Sequence, residues 1–448
     1  MGNSAEDRSW LRRWWFLLLC VGLGLPLVLG YTAFRLVLRH RVHERIQAIR
    51  DAGYPATLEE LDEWYEQRPS GQNAADIYSE AFGRLVKPAG EEVGNLPWVG
   101  EAMPPRPGAT LPPEMAAAVR EHLEANREAL QLLHEGASVE RCRYPIHMAD
   151  GVKCAMPHLT SIREGTDLLS LDAWEYAVAR KPAAAATALK SSFVLANSLG
   201  SEPFLISQNV RYKANAIAVS ALQHVIDRTV LPAEALGTLK EALQRVSHPG
   251  VELDRVLNAE KLFVLDAAHS DYLALVRALS EWQILAYRAS GVLDQDALYC
   301  LQVVDKVIDA CDKPFPQRLQ GSRDVMSEAE RRVSRRPWFH PLATVALPSF
   351  EHIFVDKAAH LARLRSARTG LAVERFRLGE GGLPGNLSEL VPGHLDELPT
   401  DPFDGKPLRY KRLDPGYVVY SIGRDGDDDG GEERDRRDDG DIAFRITR

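Results

Sequence analysis

An uncharged apolar stretch near the start of the chain constrains its fold more than any other feature. From Trp14 to Phe34 the sequence reads WWFLLLCVGLGLPLVLGYTAF, and none of these side chains is charged. At a rise of about 1.5 Å per residue, a helix of this length crosses the roughly 30 Å hydrocarbon core of a bilayer. Trp14, Trp15 and Tyr31 stand near its two ends, where aromatic residues mark membrane–water interfaces. The sequence therefore predicts a transmembrane helix over residues 14–34, with the lipid bilayer as its partner.

Two targeting signals compete with an uncleaved anchor. A cleaved signal peptide would have a shorter apolar core followed by a small-residue site of the A-x-A type, and no such site follows this stretch. A twin-arginine export signal would use the pair Arg12–Arg13, but basic residues flank signal-anchors as well. We therefore predict that the segment stays attached to the mature protein.

The charges that flank the stretch leave its orientation open. Arginines precede and follow it in nearly equal number: Arg8, Arg12, Arg13, then Arg35, Arg39, Arg41 and Arg45. The positive-inside rule therefore favours neither orientation clearly. Long domains also translocate largely regardless of the number of flanking arginines. From the candidate calcium loop and the cysteines described below, we predict a single-pass cell-membrane protein with a cytoplasmic N-terminus and an extracytoplasmic body.

Composition indicates a globular body. The chain has 448 residues, 45% of them hydrophobic and 26% charged, a mix that excludes both wholesale disorder and a polytopic membrane protein. The formal net charge is -9. Most of that charge comes from residues 425–441, an acidic tract of ten acids and three arginines. A nucleic-acid-binding protein would carry a basic domain, so we predict no nucleic-acid partner.

The patterns divide the chain into four predicted regions and a mainly α fold. Residues 1–38 form a cytoplasmic stub and the anchor, and 39–113 form juxtamembrane helices followed by a linker or ordered arm rich in proline. Residues 114–345 form an α-helical, repeat-like domain, because helical periodicity recurs there with short connections. Residues 346–448 form a small α+β domain. The helices predicted in the body span about 115–136, 159–180, 182–199, 203–228, 232–247 and 251–290.

The acidic tract is the strongest chemical signal. Residues 351–378 are predicted as a helix, and PLRYKRL, YVVYSIG and IAFRIT as strands around the tract. Asp425, Asp427 and Asp429 occupy positions 1, 3 and 5 of an EF-hand-like loop, with Gly430 at position 6. Arg436 stands at position 12, where an EF-hand needs a bidentate Glu, but hard oxygen ligands without His or Cys still favour Ca²⁺. The alternative is a solvated acidic tail, although the interspersed glycines and the following apolar strand argue against it.

Residues 351–446 resemble the globular part of the major pseudopilin of bacterial type II secretion. The similarity runs through LPTDPFDGKPLRY and YVVYSIGRDG and ends at GG followed by DGDI. In that family an acidic, glycine-rich loop binds calcium and holds the C-terminal sheet together. The resemblance implies that Asp425 opens the loop and that Asp439 and Asp441 close it, whereas Asp427 and Asp429 are added on spacing alone. Because a helical body separates the anchor from this region, the resemblance implies a borrowed calcium-stabilised module and not a filament subunit.

Four cysteines lie outside the apolar stretch. Cys300 and Cys311 fall on one predicted helix about 16 Å apart, too far for a disulfide, which needs Cα atoms within roughly 7 Å. Any disulfides would therefore join the segment that holds Cys142 and Cys154 to that helix. The alternative is four unrelated buried thiols, because free cysteines are commonly buried.

Two further segments have a functional and a structural interpretation. The segment RCRYPIHMADGVKCAMPHL concentrates polar and aromatic groups, with His147, Asp150 and His158 as candidates for a hidden site, or it is a structural loop. The basic run over residues 331–336 contacts acidic lipids or a partner, or it is the solvated C-terminus of a helix. Common nucleotide-binding, nucleophile-elbow and zinc-protease motifs do not occur in the sequence.

The sequence therefore predicts a membrane-anchored, extracytoplasmic scaffold or interaction protein with a protein partner and no assigned biochemical activity. Its calcium ligands would be Asp425, Asp427, Asp429, Asp439 and Asp441. One alternative is an anchored hydrolase with a site near residues 142–160. Another is an accessory component of a type II secretion or pilus-like assembly.

Overall fold

The structure, a computed structural model, describes residues 4–65, 71–88, 90–105, 111–247, 251–276, 278–432 and 440–448. It is mainly helical, with a small three-stranded antiparallel sheet near the C-terminus, which confirms the mainly α class. The helices are α1 (Ser4–Asp51), α2 (Leu58–Trp64), α3 (Ala74–Gly83), α4 (Pro113–Ala125), α5 (Arg127–Gly136), α6 (His158–Val178), α7 (Pro182–Asn197), α8 (Leu205–Arg228), α9 (Ala233–Ser247), α10 (Leu253–His269), α11 (Tyr272–Leu275), α12 (Glu281–Ser290), α13 (Val292–Cys311), α14 (Gln317–Arg335), α15 (Pro341–Ala346) and α16 (Pro348–Glu380).

Helix α1 continues without a break from the apolar stretch into charged sequence. It is long and apolar enough to cross a membrane or to act as a signal. The described apolar side chains before residue 38 are mostly exposed, among them Leu25, Leu27 and Leu29. Its second half contacts the body, since Leu38 and Ile49 are buried. Helix α1 therefore has a largely exposed apolar N-terminal part and a C-terminal part that packs against the body.

Two large hydrophobic cores organise much of the body, beside smaller clusters. In the first, α6 to α9 pack with α16, and small residues such as Ala185 and Ala188 let the helices approach closely. In the second, α10, α13, α14 and α15 pack with the N-terminal part of α16 around Cys300, Val304 and Phe354. The helices predicted at 159–180, 182–199, 203–228 and 232–247 correspond to α6 to α9.

Two predicted helices are broken, and side-chain hydrogen bonds explain the break at Asn126 and the start of α12. The helix predicted over 115–136 is interrupted at Asn126, whose Oδ1 accepts the N–H of Val86 at 2.8 Å and whose Nδ2 donates to the Val86 carbonyl at 3.1 Å. The helix predicted over 251–290 separates into α10, α11 and α12. Helix α12 begins anew because Ser280 and Gln283 form a reciprocal capping box.

The C-terminal sheet contains β1 (Arg409–Arg412), β2 (Tyr417–Ser421) and β3 (Ile442–Ile446), paired antiparallel in that order. These are the three strands that the sequence predicts. Helix α16 packs across the sheet, and Gly370 brings the helix backbone onto the ring of Phe444. Any side chain at position 370 would collide with that ring.

The sheet and the body share one hydrophobic core. Tyr417 and Phe444 pack in the same cluster as Leu222 of α8. The backbone N–H groups of Arg445 and Thr447 donate to side-chain oxygens on α8 at 3.0 and 2.6 Å. The predicted domain boundary at 345/346 falls at the end of α15 and stays a prediction. Because the sheet and the body share a core, experiments on the C-terminal region need the full chain.

The described part of the proline-rich segment is an ordered arm. Leu96 is fully buried. The ring of Trp98 lies 6.2 Å from that of Trp174 and 5.6 Å from that of His224, edge to face in both pairs. These contacts hold residues 90–102 against α6 and α8.

In the structure the four cysteines outside the apolar stretch are free thiols, of which Cys300 and Cys311 are buried and Cys142 and Cys154 half-buried. Which cysteines any disulfides would join therefore stays a prediction. Cys300 and Cys311 belong to the core around α13, whereas Cys142 and Cys154 pack with α2 and α3 in a separate cluster. Burial raises the pKa of the Cys142 thiol to about 12, so this group is protonated and unreactive at neutral pH.

Candidate functional site

The acidic tract connects two neighbouring strands. Ser421 at the end of β2 pairs with Ile442 at the start of β3, so both ends of the connecting loop, residues 422 and 441, lie at the same end of these two strands. Gly423 closes the base of this loop with φ at 70°, and a Cβ there would lie 2.0 Å from the Gly440 carbonyl oxygen. Only glycine allows the two ends of the loop to approach so closely.

A buried aspartate fixes the end of β2 at the point where the loop begins. Asp401, fully buried, belongs to the TDPFDG turn before β1. Its Oδ1 accepts the Ser421 hydroxyl at 2.8 Å, and its Oδ2 accepts the Ile422 N–H at 3.0 Å. The guanidinium of Arg409 donates to the same carboxylate at 2.7 Å and also pairs with Asp404. The turn therefore holds the strand from which the acidic tract departs.

The first acids of the tract lie in an exposed turn. Asp425 Oδ1 accepts the N–H of Asp427 at 3.2 Å, and both side chains are exposed. Asp428 Oδ1 accepts the Tyr420 hydroxyl at 3.1 Å and the Gly430 N–H at 3.0 Å. These hydrogen bonds shape the turn and direct Asp428 toward the sheet.

Asp441 at the other end of the tract is only 4% exposed. Its Oδ2 accepts the Gly431 N–H at 2.6 Å, while its Oδ1 is buried with no hydrogen-bond partner among the described residues. Loss of hydration raises the pKa of Asp441, and the negative charges of Asp428 and Asp429 act in the same direction, against hydrogen bonds from the backbone of Gly431 and Asp429. A cation bound beside this carboxylate would supply the missing partner and relieve the repulsion.

The structure assembles only part of the predicted ligand set. The exposed Asp428 and the half-buried Asp429 lie within electrostatic reach of Asp441. Asp425 and Asp427 are exposed, and Asp439 lies outside the described residues. Across the described ranges, no group of three or more His, Cys, Asp or Glu side chains is arranged to hold a metal ion. EF-hand spacing missed Asp428 because it selects alternate residues, and the run of three consecutive aspartates was the available signal.

The hydrolase candidates near residues 142–160 are not brought together. His147 and Asp150 are exposed, whereas His158 is buried at the start of α6. His158 Nε2 lies 2.9 Å from Oε1 of the fully buried Glu202, and its ring stacks on Tyr144 with centroids 4.3 Å apart. These contacts tie α6 to the loop between α7 and α8, which favours the structural interpretation of this segment.

A Ser–His–Asp row occurs elsewhere in the body and was not identified from the sequence. His134 of α5 lies with Nδ1 2.8 Å from the Ser191 hydroxyl and Nε2 3.4 Å from Asp172 Oδ2. Ser191 is 4% exposed and lies within α7, where backbone N–H groups are engaged in the helix and supply no oxyanion hole beside the hydroxyl. The row joins α5, α6 and α7 as a part-buried polar contact.

Comparison with protein-family models, with curated proteins and with solved structures finds no match to this chain.

Proposed function

We propose that this protein is a single-pass, membrane-anchored interaction protein whose helical body is held beside the bilayer by α1. The observation that carries the proposal is the division of this helix into two parts. Its exposed apolar part matches a bilayer span, and its following part is fastened to α13. An apolar helix face this long is costly in water and stable in hydrocarbon.

The fastening begins at the end of the predicted span. The Tyr31 hydroxyl donates to the carbonyl of Ala289. Arg35 pairs with the largely buried Asp294 at 3.0 Å, and Arg45 pairs with Asp305 at 3.2 Å. Because these contacts extend over residues 31–45 of one continuous helix, the anchor sets the orientation of the body relative to the membrane as well as its distance.

We propose that the N-terminus is cytoplasmic and the body extracytoplasmic, where calcium near millimolar concentration suits a loop of modest affinity. The free thiols add no support to this orientation. The opposite orientation is favoured by one observation, since cytoplasmic flanks are enriched in arginine and Arg331, Arg335 and Arg336 are exposed at the end of α14.

Protease protection of the full chain distinguishes the two orientations. A C-terminal epitope on the protein in intact bacterial spheroplasts should be removed by added protease, because it lies outside. In inverted membrane vesicles the same epitope should be protected. The reverse pattern would place the body in the cytoplasm and remove the physiological basis for calcium at the loop.

We further propose that Ca²⁺ binds the acidic tract and orders the connection between β2 and β3. The donor set fits a hard cation, because it consists of carboxylates, and the buried Oδ1 of Asp441 needs a partner. Asp428 and Asp429 would hold the ion with Asp441. Asp425, Asp427 and Asp439 remain proposed ligands from the pattern and the resemblance. The ion would neutralise carboxylates that repel one another and would cross-link the two ends of the tract.

Calcium binding is tested by the melting temperature of the full-length protein in detergent, in Ca²⁺ and in chelator. A ligand that binds only the folded state stabilises it by about 2.7 kcal/mol at a hundredfold excess over its Kd. We expect a higher melting temperature in Ca²⁺, with Mg²⁺ a poor substitute.

The Asp441→Ala and Asp429→Ala variants should each lose most of this difference. Asp404→Ala is the matched control, because Asp404 pairs with Arg409 outside the tract and its loss should lower stability equally with and without calcium. If chelator leaves the melting temperature of the native chain unchanged, the tract is a solvated loop and the calcium proposal fails.

A place in a secretion or pilus-like assembly remains an alternative partner assignment, supported by the resemblance of residues 351–446. Co-purification of the full chain with pseudopilins would favour it over an unrelated protein partner.

A further inference from the structure

The end of the body that faces the membrane can be located from the directions of four helices. Helix α13 runs parallel to α1, because Arg35 pairs with Asp294 at its start and Arg45 with Asp305 farther along. The first turn of α13 therefore lies level with the end of the predicted span. A Cβ at Gly291, just before α13, would lie 2.6 Å from the guanidinium of Arg35, so the two helices touch there.

Helix α10 runs antiparallel to α13, since Lys261 pairs with Asp305 and His269 with Asp294 at 3.1 Å. The described residues that connect α10 to α13, 270–276 and 278–290, therefore lie at the same end. The capped helix α12 is part of this connection, and its carbonyl at Ala289 accepts the hydroxyl of Tyr31. A segment of the body thus lies at the depth of the aromatic belt of the anchor.

Helix α14 also descends to this end. The guanidinium of Arg332 lies over the ring of Tyr299 at 4.5 Å, and the ring of His340 accepts or donates a hydrogen bond with Asp296 at 2.8 Å. Residues 335–340 are therefore level with the first turns of α13. We call residues 270–276 and 278–290, together with 335–340, the membrane end.

The membrane end exposes large apolar side chains from both of its segments. Trp282 is 80% exposed and Trp338 is 65% exposed. The others are Leu275, Val276, Leu285 and Phe339. Outside α1, the remaining exposed large apolar side chains of the described chain are spread singly over other elements: Trp64, Val86, Met103, Ile206, Val230 and Leu378. Apolar side chains concentrated at one end indicate a contact surface.

An arginine-lined cleft opens beside the same end. The space between α1, α13 and α14 has a volume of about 1380 Å³, and its lining contains six arginines and two glutamates. Arg41, Arg335 and Arg336 are exposed and have no ion-pair partner among the described residues. Phe34 and Val37 line the same cleft, so it begins where α1 leaves the span.

We propose that the membrane end rests on the bilayer, with Trp282 and Trp338 in the interface and the arginine-lined cleft around anionic phospholipid headgroups. The occupant follows from continuity with the anchor and from charge, because tryptophan prefers the membrane interface and guanidinium groups pair with phosphate. The proposal rests on the proposed span of α1. It adds a second, monotopic contact that fixes the rotation of the body about the anchor.

Hydroxyl-radical footprinting of the full chain in vesicles tests the membrane end residue by residue. Trp64, 37% exposed on α2, is the internal reference for Trp282 and Trp338, which are more exposed in the protein alone. In vesicles of phosphatidylcholine with phosphatidylglycerol, we expect Trp282 and Trp338 to oxidise more slowly than Trp64. If both oxidise faster than Trp64, the membrane end is in water and the proposal is overturned.

A charge-reversal pair tests the cleft. Arg335→Glu with Arg336→Glu should raise the oxidation rate of Trp338 relative to Trp64 in anionic vesicles and leave it unchanged in pure phosphatidylcholine. The control pair Arg120→Glu with Arg127→Glu, on α4 and α5, changes the net charge equally and should have no effect in either lipid. Equal effects of the two pairs would refute a role of the cleft in headgroup binding.

Two further outcomes separate this proposal from others. Protection that increases with the ratio of protein to lipid would assign the membrane end to contacts between copies of the chain and overturn the proposal. Release of the protein by alkaline carbonate would refute the span itself, and the membrane end with it, whereas retention combined with rapid oxidation of Trp282 would refute the membrane end alone.

Discussion

The contact between α16 and the C-terminal sheet makes a sharp prediction about one glycine. A Cβ at Gly370 would lie 2.3 Å from Phe444 Cδ1 and 2.4 Å from Cε1, far inside van der Waals contact. Phe444 is fully buried, and the Tyr417 hydroxyl donates to the Gly370 carbonyl at 3.0 Å, so neither side moves freely. Overpacking of this kind costs about 1–3 kcal/mol, against a gain of up to about 1 kcal/mol in helix propensity. We expect Gly370→Ala to lose about 1–2 kcal/mol.

The measurement is the melting temperature of the full-length protein, followed by tryptophan fluorescence. Gly237→Ala in α9 is the matched control, because a Cβ there meets no atom within 4 Å and the substitution should stabilise the helix. The Gly370→Ala/Phe444→Leu double variant should lose less stability than the sum of its single variants, since the smaller side chain leaves room for the methyl group. A stabilising Gly370→Ala, or strict additivity of the double variant, would refute the described packing.

Three other predictions concern groups in the body. Glu260 accepts the Leu205 N–H at 2.8 Å at the start of α8, and burial raises the pKa of Glu260 from 4.5 to about 7. The folded state therefore holds this proton more tightly than the unfolded state, so stability falls as pH rises from about 4.5 through about 7. Glu260→Gln keeps the hydrogen-bond acceptor without the charge. The melting temperature of this variant minus that of the native chain should therefore increase from pH 5 to pH 8, and a difference that does not change with pH would contradict the prediction. Asn126→Ala should lower the free energy of unfolding by about 1–3 kcal/mol, because both backbone groups of Val86 lose their partner. Hydrogen exchange at the Val86 amide should increase, and unchanged exchange would show that the Asn126 side chain does not hold this segment. Reducing agent should leave the melting temperature unchanged, and peptide mapping should recover Cys300 as a free thiol, whereas a recovered disulfide would contradict the core packing around α13.

Local sequence patterns predicted where helices and strands form, whereas the break in the helix predicted over 115–136 depends on a tertiary contact. Helix α16 and the three strands follow from periodicity and from flanking glycine and proline, which act over a few residues. The interruption at Asn126 depends on Val86, forty positions earlier in the chain, and no local pattern reveals such a partner. The start of α12 was readable, because Ser280 and Gln283 have capping-box spacing.

The acidic composition of the candidate site could be predicted from the sequence, but the positions of its carboxylates could not. The acidic tract indicated hard-cation chemistry, but the burial of Asp441 depends on the strand that follows and on the packing of the sheet against α8. The membrane end was missed because its two segments are far apart in sequence and meet only through the directions of α10, α13 and α14. The two exposed tryptophans of the membrane end indicate a membrane contact only because the fold places them beside the anchor.

Alkaline carbonate extraction combined with mass spectrometry of the N-terminus tests the anchored state most directly. The full-length protein is expressed in a bacterial host, its membranes are washed with carbonate, and the pellet and supernatant are analysed for peptides on either side of residue 34. The account predicts that the body stays in the pellet with residues 14–34 still attached. Recovery of the body in the supernatant, or of a mature chain that begins after Phe34, would show that the apolar stretch is a cleaved signal and would contradict the account.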